Sequence, residues 1–285
     1  MTFTAVPASA GVHTLGEGPV WDSARQRLLW VDIVAGTVYE GRLDGDAITV
    51  TGSHTFDGTV GAVAVAADGT LLVAAQSTLI AVGTDGSRKE LARVLPEGVR
   101  SRLNDGAVDP AGRFLIGSLA QDDRHGQEVL ARLDGTGLTY LDTDLVLSNG
   151  LAWVDGRLYN VDTVPGTIWV RDYDAETGET GPRREAFTIT DGSPDGMCAD
   201  AAGNLWIANW GLGRVECRTT AGELLDVVET GAPHTSCPVF AGPGLDVLVI
   251  TTATTGLSEP GPDDGRLFTA RVGVRGLPAP YWNHS

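Results

Sequence analysis

Cysteine is scarce in this sequence. There are three in 285 residues, Cys198, Cys217 and Cys237. That number does not make a disulfide framework in a chain of this size, and no CxxC pair occurs. No run of about 18 apolar residues occurs either, so no transmembrane helix is expected. Residues 1–6 lack the basic region and the long apolar stretch of a secretory signal. A reducing cytoplasm is therefore the expected compartment. The glycosylation-like triplet Asn283-His284-Ser285 carries no meaning there. Basic residues are few, 20 Lys and Arg against 37 Asp and Glu, for a formal charge of −17. Such a chain repels phosphate backbones and anionic membrane surfaces, so neither nucleic acid nor membrane is an expected partner. The plain role of the acidity is solubility, with a small part free to serve cation binding.

Motifs for several chemistries are missing as well. No GxSxG supports a nucleophile-elbow hydrolase. No GxGxxG, P-loop or HExxH is present. Asp142-Thr143-Asp144 does not continue into an EF-hand loop. Cys198 and Cys237 have no evident His partner and read as small inert residues. Convincing helical periodicity is absent.

What the sequence does have is glycine, 38 of them, scattered with 14 prolines. Scattered turn formers imply many turns and many short strands. The turns recur in phase. Each of six leads into an apolar run, and aligning Leu28, Leu71, Phe114, Leu158, Leu205 and Val247 gives spacings of roughly 42 to 47 residues. That is the blade period of a β-propeller. Each unit also has a second half, such as Val38–Leu43 before Asp44-Gly45 and Val129–Leu133 before Asp134-Gly135. An ordinary β-sandwich or barrel would show such phasing only by accident. The expectation is an all-β, six-bladed β-propeller with four-stranded antiparallel blades, one domain over residues 1–285, closed by pairing of its terminal strands. Which terminal strands pair is left open.

The innermost strand of a blade lies nearest the central axis, so its start is where blades converge. The glycine or proline heading each apolar run is Gly18, Gly61, Gly106, Gly150, Gly196 or Pro238. Just before them stand Glu17, Val60, Asp105, Asn149, Asp195 and Cys237. Four of these six carry side-chain oxygen. Asn or Asp before Gly is often only a turn residue. Glu17 is not a turn former, and equivalence across a repeat argues against that reading. Carboxylates crowded at a tunnel mouth repel each other and resist desolvation. No Lys or Arg occupies the ring, so a cation is the natural partner. All-oxygen donors suit a hard ion, Ca²⁺, Mg²⁺ or Mn²⁺, with Zn²⁺ and Fe²⁺ as borderline alternatives. Asp105 is the weakest member, because a register shift in Asn104-Asp105-Gly106 would turn Asn104 inward instead.

Other polar groups surround this ring. Arg102 and Asn104 alternate, so an extended strand points both to one side, although Arg102 also reads as a surface cation. Asp122 and Asp123 read first as a solvated loop. His234 reads as structural or solvent-facing. Trp21, Trp153 and Trp206 read as core, and Trp210 is a candidate for lining the mouth.

These residues carry a resemblance over almost the whole chain. The stretches are Leu15-Gly16-Glu17-Gly18-Pro19-Val20-Trp21, Arg102-Leu103-Asn104-Asp105-Gly106, Asp109-Pro110-Ala111-Gly112-Arg113, Ser148-Asn149-Gly150-Leu151-Ala152-Trp153 and Pro194-Asp195-Gly196-Met197-Cys198-Ala199-Asp200, then Thr235-Ser236-Cys237 and Gly273-Val274-Arg275-Gly276-Leu277. Together they resemble the senescence marker protein-30 (regucalcin), gluconolactonase and luciferin-regenerating enzyme-like family. The resemblance implies a six-bladed propeller with one divalent metal in the tunnel, Ca²⁺ foremost, held by Glu17, Asn149 and Asp195. It implies that Arg102 and Asn104 hold the hydroxyls of a sugar lactone. The family's acidic substrate residue matches Asp122 by spacing, with Asp here in place of a longer Glu. The expected reaction is metal-dependent hydrolysis of the lactone to its aldonic acid, with Asp195 as general base. The partner is then a small molecule, and the chain a monomer or weak homo-oligomer. The rival expectations are a promiscuous esterase or phosphotriesterase on the same metal, and a non-catalytic calcium-binding regulatory propeller.

Overall fold

The computed structural model describes residues 1–122 and 124–283. Asp123 and the last two positions of the Asn283-His284-Ser285 triplet lie outside the described residues. Among the described residues every regular element is a strand, and no helix is long and apolar enough to cross a membrane.

Each sequence repeat folds into consecutive antiparallel strands. The first blade runs Gly16–Asp22, Arg27–Asp32, Thr37–Asp44 and Ala47–Thr55, each paired with the next. Five further sheets are built alike, and their innermost strands are Val60–Val65, Ser101–Val108, Ser148–Val154, Ser193–Ala199 and Thr235–Ala241. Neighbouring innermost strands pack against each other round the circle, the sixth against the first. The molecule is a six-bladed β-propeller.

Burial explains the sequence pattern. The inner strands Val60–Val65 and Leu71–Ala75 are buried at every position, while the outermost strand Arg88–Arg93 is almost entirely exposed. An inner strand is covered by a neighbouring blade on both faces, so it reads as a continuous apolar run rather than an alternation. The outermost strand is a sheet edge and carries charges that discourage further pairing. The core lies between blades. Trp206 and Phe240 meet edge-to-face at 5.6 Å between the fifth and sixth. Trp21 is buried with Trp30 and Val249 between the first and sixth. Trp153 is half-buried and meets Tyr173 edge-on.

The N-terminal segment closes the ring. Val6–Pro7 pairs antiparallel with Phe268–Ala270 as the outermost strand of the sixth sheet. Thr2–Thr4 runs parallel beside Leu224–Glu229 as a fifth strand of the fifth sheet. His13 locks the same seam. Its Nδ1 donates to the Gly265 carbonyl at 2.8 Å, and its Nε2 accepts from Trp30 Nε1 at 2.9 Å. Those two bonds fix one neutral tautomer. Burial lowers the His13 pKa, against the opposing pull of Gly265 and Asp32.

Candidate active site and metal centre

All six innermost strands break register with their neighbours near their start. The breaks fall between Glu17 and Val20, Val60 and Ala62, Leu103 and Gly106, Ser148 and Leu151, Pro194 and Met197, and Thr235 and Cys237. Each is a β-bulge, in which an extra residue is fitted opposite one partner and side chains are re-aimed. Asn104 and Asp105 share one bulge. Asn149 and Asp195 each share theirs with the following glycine. Glycine is needed here for close approach. A Cβ on Gly150 would sit 2.6 Å from the Cβ of Met197 and 2.7 Å from the Asp195 carbonyl oxygen. One on Gly196 would sit 2.3 Å from Cys237 Sγ. Asn149-Gly150 and Asp195-Gly196 are therefore strand residues at which blades nearly touch, not turns.

The structure brings Glu17, Arg102, Asn104, Asp105, Asn149 and Asp195 together, all of them buried. Arg102 Nη1 donates to Asn104 Oδ1 at 2.6 Å. Asn104 Nδ2 donates to the Ser148 carbonyl at 3.0 Å and to Asn149 Oδ1 at 3.2 Å. Asn149 Nδ2 donates to Thr163 Oγ1 at 3.1 Å, and the Asn149 amide also hydrogen-bonds to the Asp195 carboxylate. Arg102 and Asn104 thus share a side, as their alternation suggests. Asp105 joins the acids as well, because the bulge lets two consecutive side chains be buried.

Electrostatics follow from this crowding. Burial pushes the Glu17 carboxyl well above the usual range, and repulsion from Asp195 and Asp105 adds to it. Asp195 is raised well above its usual value by burial and by Asp105, against the pull of Arg102. Burial raises Asp105 to about 6. The single cation, Arg102, is lowered to about 10 by burial even though Glu17 and Asp195 favour its charge. Behind the ring the tunnel turns apolar. A cavity of about 420 Å³ lies there, walled by residues such as Val63, Leu151, Met197 and Val239 and bordered by residues 277–280.

Three buried polar residues hold the loops that deliver the candidate ligands. The Asp32 carboxylate accepts from the amides of Thr14 at 2.8 Å and Leu15 at 3.1 Å, just ahead of Glu17. The Asp162 carboxylate accepts from the amides of Val146 at 3.2 Å and Leu147 at 2.9 Å, just ahead of Asn149. Asn209 Nδ2 donates to the Asp191 carbonyl at 2.8 Å, ahead of Asp195. Sequence reasoning passed over these three. Their signal is a polar residue closing the second apolar run of a repeat, in Val31-Asp32, Val161-Asp162 and Ala208-Asn209.

Asp122 sits apart from the ring. Arg124 Nε donates to its two oxygens at 2.8 and 3.0 Å, and this pairing lowers the Asp122 pKa. Gln121, its neighbour, donates its amide to the Arg100 carbonyl at 2.8 Å, so the segment lies at the same mouth as Arg102. Burial pushes the Cys198 and Cys237 thiols up. That agrees with inert packing.

Among the described residues no three His, Cys, Asp or Glu side chains form a metal-holding group by themselves. The candidate set differs in kind, since it counts the Asn149 amide. Its chemistry fits a hard cation. Buried carboxylates whose pKa values burial raises, with Arg102 for compensation, are an environment that a divalent ion relieves.

Comparison with known proteins shows the family. The SMP-30/Gluconolactonase/LRE-like region matches residues 15–254. The chain belongs to this family. Regucalcin of Xenopus laevis is 34% identical over 284 residues, covering 93% of each chain. Pentonolactonase XacC of Haloferax volcanii is 33% identical over 279 residues, again covering 93% of each. The solved structure of a calcium-binding protein, regucalcin, from Agrobacterium tumefaciens superposes with a TM-score of 0.90 at 27% identity, covering 99% of each chain.

Proposed function

We propose that this member of the family is a divalent-metal-dependent lactonase that opens a sugar lactone to its aldonic acid. Glu17, Asn149 and Asp195 would hold the cation, Ca²⁺ foremost. Their net charge of −2 matches one divalent ion. When bound, the ion supplies Lewis-acid polarisation of the lactone carbonyl. Asp195 accepts a proton from the attacking water as its oxygen joins the carbonyl carbon. Asp195 then returns that proton to the ring oxygen as the ester bond breaks, which leaves a free hydroxyl and a carboxylic acid. Arg102 and Asn104 orient the substrate hydroxyls by hydrogen bonds and so favour one stereochemistry. The Arg102–Asn104–Asn149 chain fixes the orientation of the Asn149 amide beside Asp195.

The observation that carries this reading is the buried cluster of the Glu17, Asp105 and Asp195 carboxylates, their pKa values raised by burial, with Arg102 beside them. The lactonase activity in the name of the Haloferax relative supports the choice of substrate. The test is acid release from a panel of γ- and δ-aldonolactones with Ca²⁺, Mg²⁺, Mn²⁺, Zn²⁺ or Fe²⁺, each against a chelator control. Chelator-sensitive hydrolysis is expected. The calcium-binding description of the Agrobacterium relative favours a second reading, a binding protein without turnover. Metal binding with no hydrolysis across the panel would select it.

A further inference from the structure

Two aromatic rings from adjacent blades meet at the site's mouth. Trp210 and His234 stack face to face, with ring centroids 4.1 Å apart and planes 13° from parallel. Both are only partly buried. Trp210 ends the second strand of the fifth blade, opposite Ser193, which stands two residues before Asp195. His234 stands two residues before Ser236, whose hydroxyl donates to the Gly16 carbonyl at 2.6 Å, next to Glu17. Two residues of strand span roughly 7 Å. The pair therefore sits one step outward from two of the candidate ligands, at the mouth that leads to them.

The imidazole is oriented rather than free. Its Nδ1 lies 2.8 Å from the Thr255 carbonyl oxygen. A carbonyl only accepts, so Nδ1 carries the hydrogen and Nε2 of the neutral ring carries a lone pair. Trp210 covers one face of the ring, and Gly256 lies close enough to its edge that a Cβ there would be 3.4 Å from Cε1. No protein hydrogen bond takes up Nε2 among the described residues. Arg102 and Asn104 supply hydroxyl partners on the third-blade side of the mouth. Asp122, the residue matched by spacing to a further hydroxyl contact, is engaged by Arg124. The fifth- and sixth-blade side has an acceptor in His234.

We propose that His234 is a specificity-determining residue that accepts a hydrogen bond from a substrate hydroxyl through Nε2, and that Trp210 is the positioning residue that holds its ring. The ligand class is a polyhydroxylated lactone as opposed to an unsubstituted one. This rests on the lactonase reading.

The experiment is steady-state kinetics on aldonolactones and on unsubstituted lactones of the same ring size, the latter followed as substrates or as competitive inhibitors. His234→Ala should raise KM for the aldonolactones about three- to tenfold, the worth of one neutral hydrogen bond, with a smaller change in kcat. It should leave the constants for unsubstituted lactones within experimental error. Trp210→Ala should shift KM in the same direction, and Trp210→Phe, which keeps a stacking face, should restore most of it. Equal effects on both lactone classes, or none on either, would overturn the inference while hydrolysis by the unaltered protein upholds the lactonase reading. If the unaltered protein hydrolyses no lactone with any metal, both fall together. If Trp210→Phe behaves like Trp210→Ala, the positioning role of Trp210 is wrong.

Discussion

Asp195 is where the chemistry concentrates at the level of single residues. It combines candidate metal contact with the proposed role of proton acceptor, and burial with Asp105 beside it leaves the free carboxyl reluctant to ionise. Asp195→Asn keeps the shape and removes the base. With metal saturating, kcat for lactone hydrolysis should fall about 10²–10⁴-fold. Undiminished turnover would sink the assignment. The same electrostatics set a pH dependence for cation binding. Glu17, Asp105 and Asp195 all have raised pKa values, Asp105 about 6, so protons occupy the group at mildly acidic pH. A cation needs the ionised form. Divalent-ion affinity measured by calorimetry should therefore strengthen as pH rises from about 5 to about 7, with protons released on binding. An affinity flat across that range would contradict the picture. Glu17, Asn149 and Asp195 were legible as candidates because the repeat aligns them. Asp105 was harder to place, because simple alternation allows either Asn104 or Asp105 to face inward, and only the bulge buries both.

The element that builds the site is the bulged innermost strand with its glycine. The sequence shows X-Gly at the head of the run, and a turn is the ordinary explanation of such a pair. The structure gives a different reason, the approach of the next blade to within less than a side chain. Gly150→Ala tests this, since its Cβ would meet Met197 and the Asp195 carbonyl. The inserted methyl should cost about 1–3 kcal/mol of stability in denaturant unfolding, as overpacking does. It should also weaken divalent-ion binding, because the atoms it displaces lie beside Asn149 and Asp195. Full stability with unchanged binding would show that the strands have room to part. The loops ahead of the ligands were not legible. Asp32, Asp162 and Asn209 act on backbone amides and a carbonyl that are 15 to 18 residues away in sequence, and nothing in a local pattern shows where those groups fold back.

For the whole molecule the weak point is the seam where the ring closes. Val6–Pro7, His13, Trp30 and Gly265 come from opposite ends of the chain and meet there. His13 is buried as the neutral ring, with a pKa held below its ordinary 6.5 by desolvation. A depressed pKa means that the unfolded chain binds the proton more readily. The stability from His13 is therefore present above about 6.5 and is lost as pH falls through the folded-state value. Thermal unfolding of the metal-free protein between pH 7.5 and 5 should show a destabilising acid component. His13→Gln should lower stability at pH 7.5 and flatten that component. An unchanged slope in the variant would exclude His13 as its source.

The six-fold period, the all-β class and the convergence of Glu17, Asn149 and Asp195 were determined by the sequence alone. A repeated unit must bury the same positions in each copy, so local pattern and global arrangement carry the same information. Tertiary structure alone decided the closing strand pair, the bulges that re-aim Asn104 and Asp105, the pinning residues behind each ligand, and the stacking of Trp210 on His234. The closing strands and the ring stack join residues from opposite ends of the chain or from different blades. The bulges and the pinning contacts lie within a blade, between a strand and the segment folded back beside it. Their physical cause is chain geometry in three dimensions, which no local residue pattern contains.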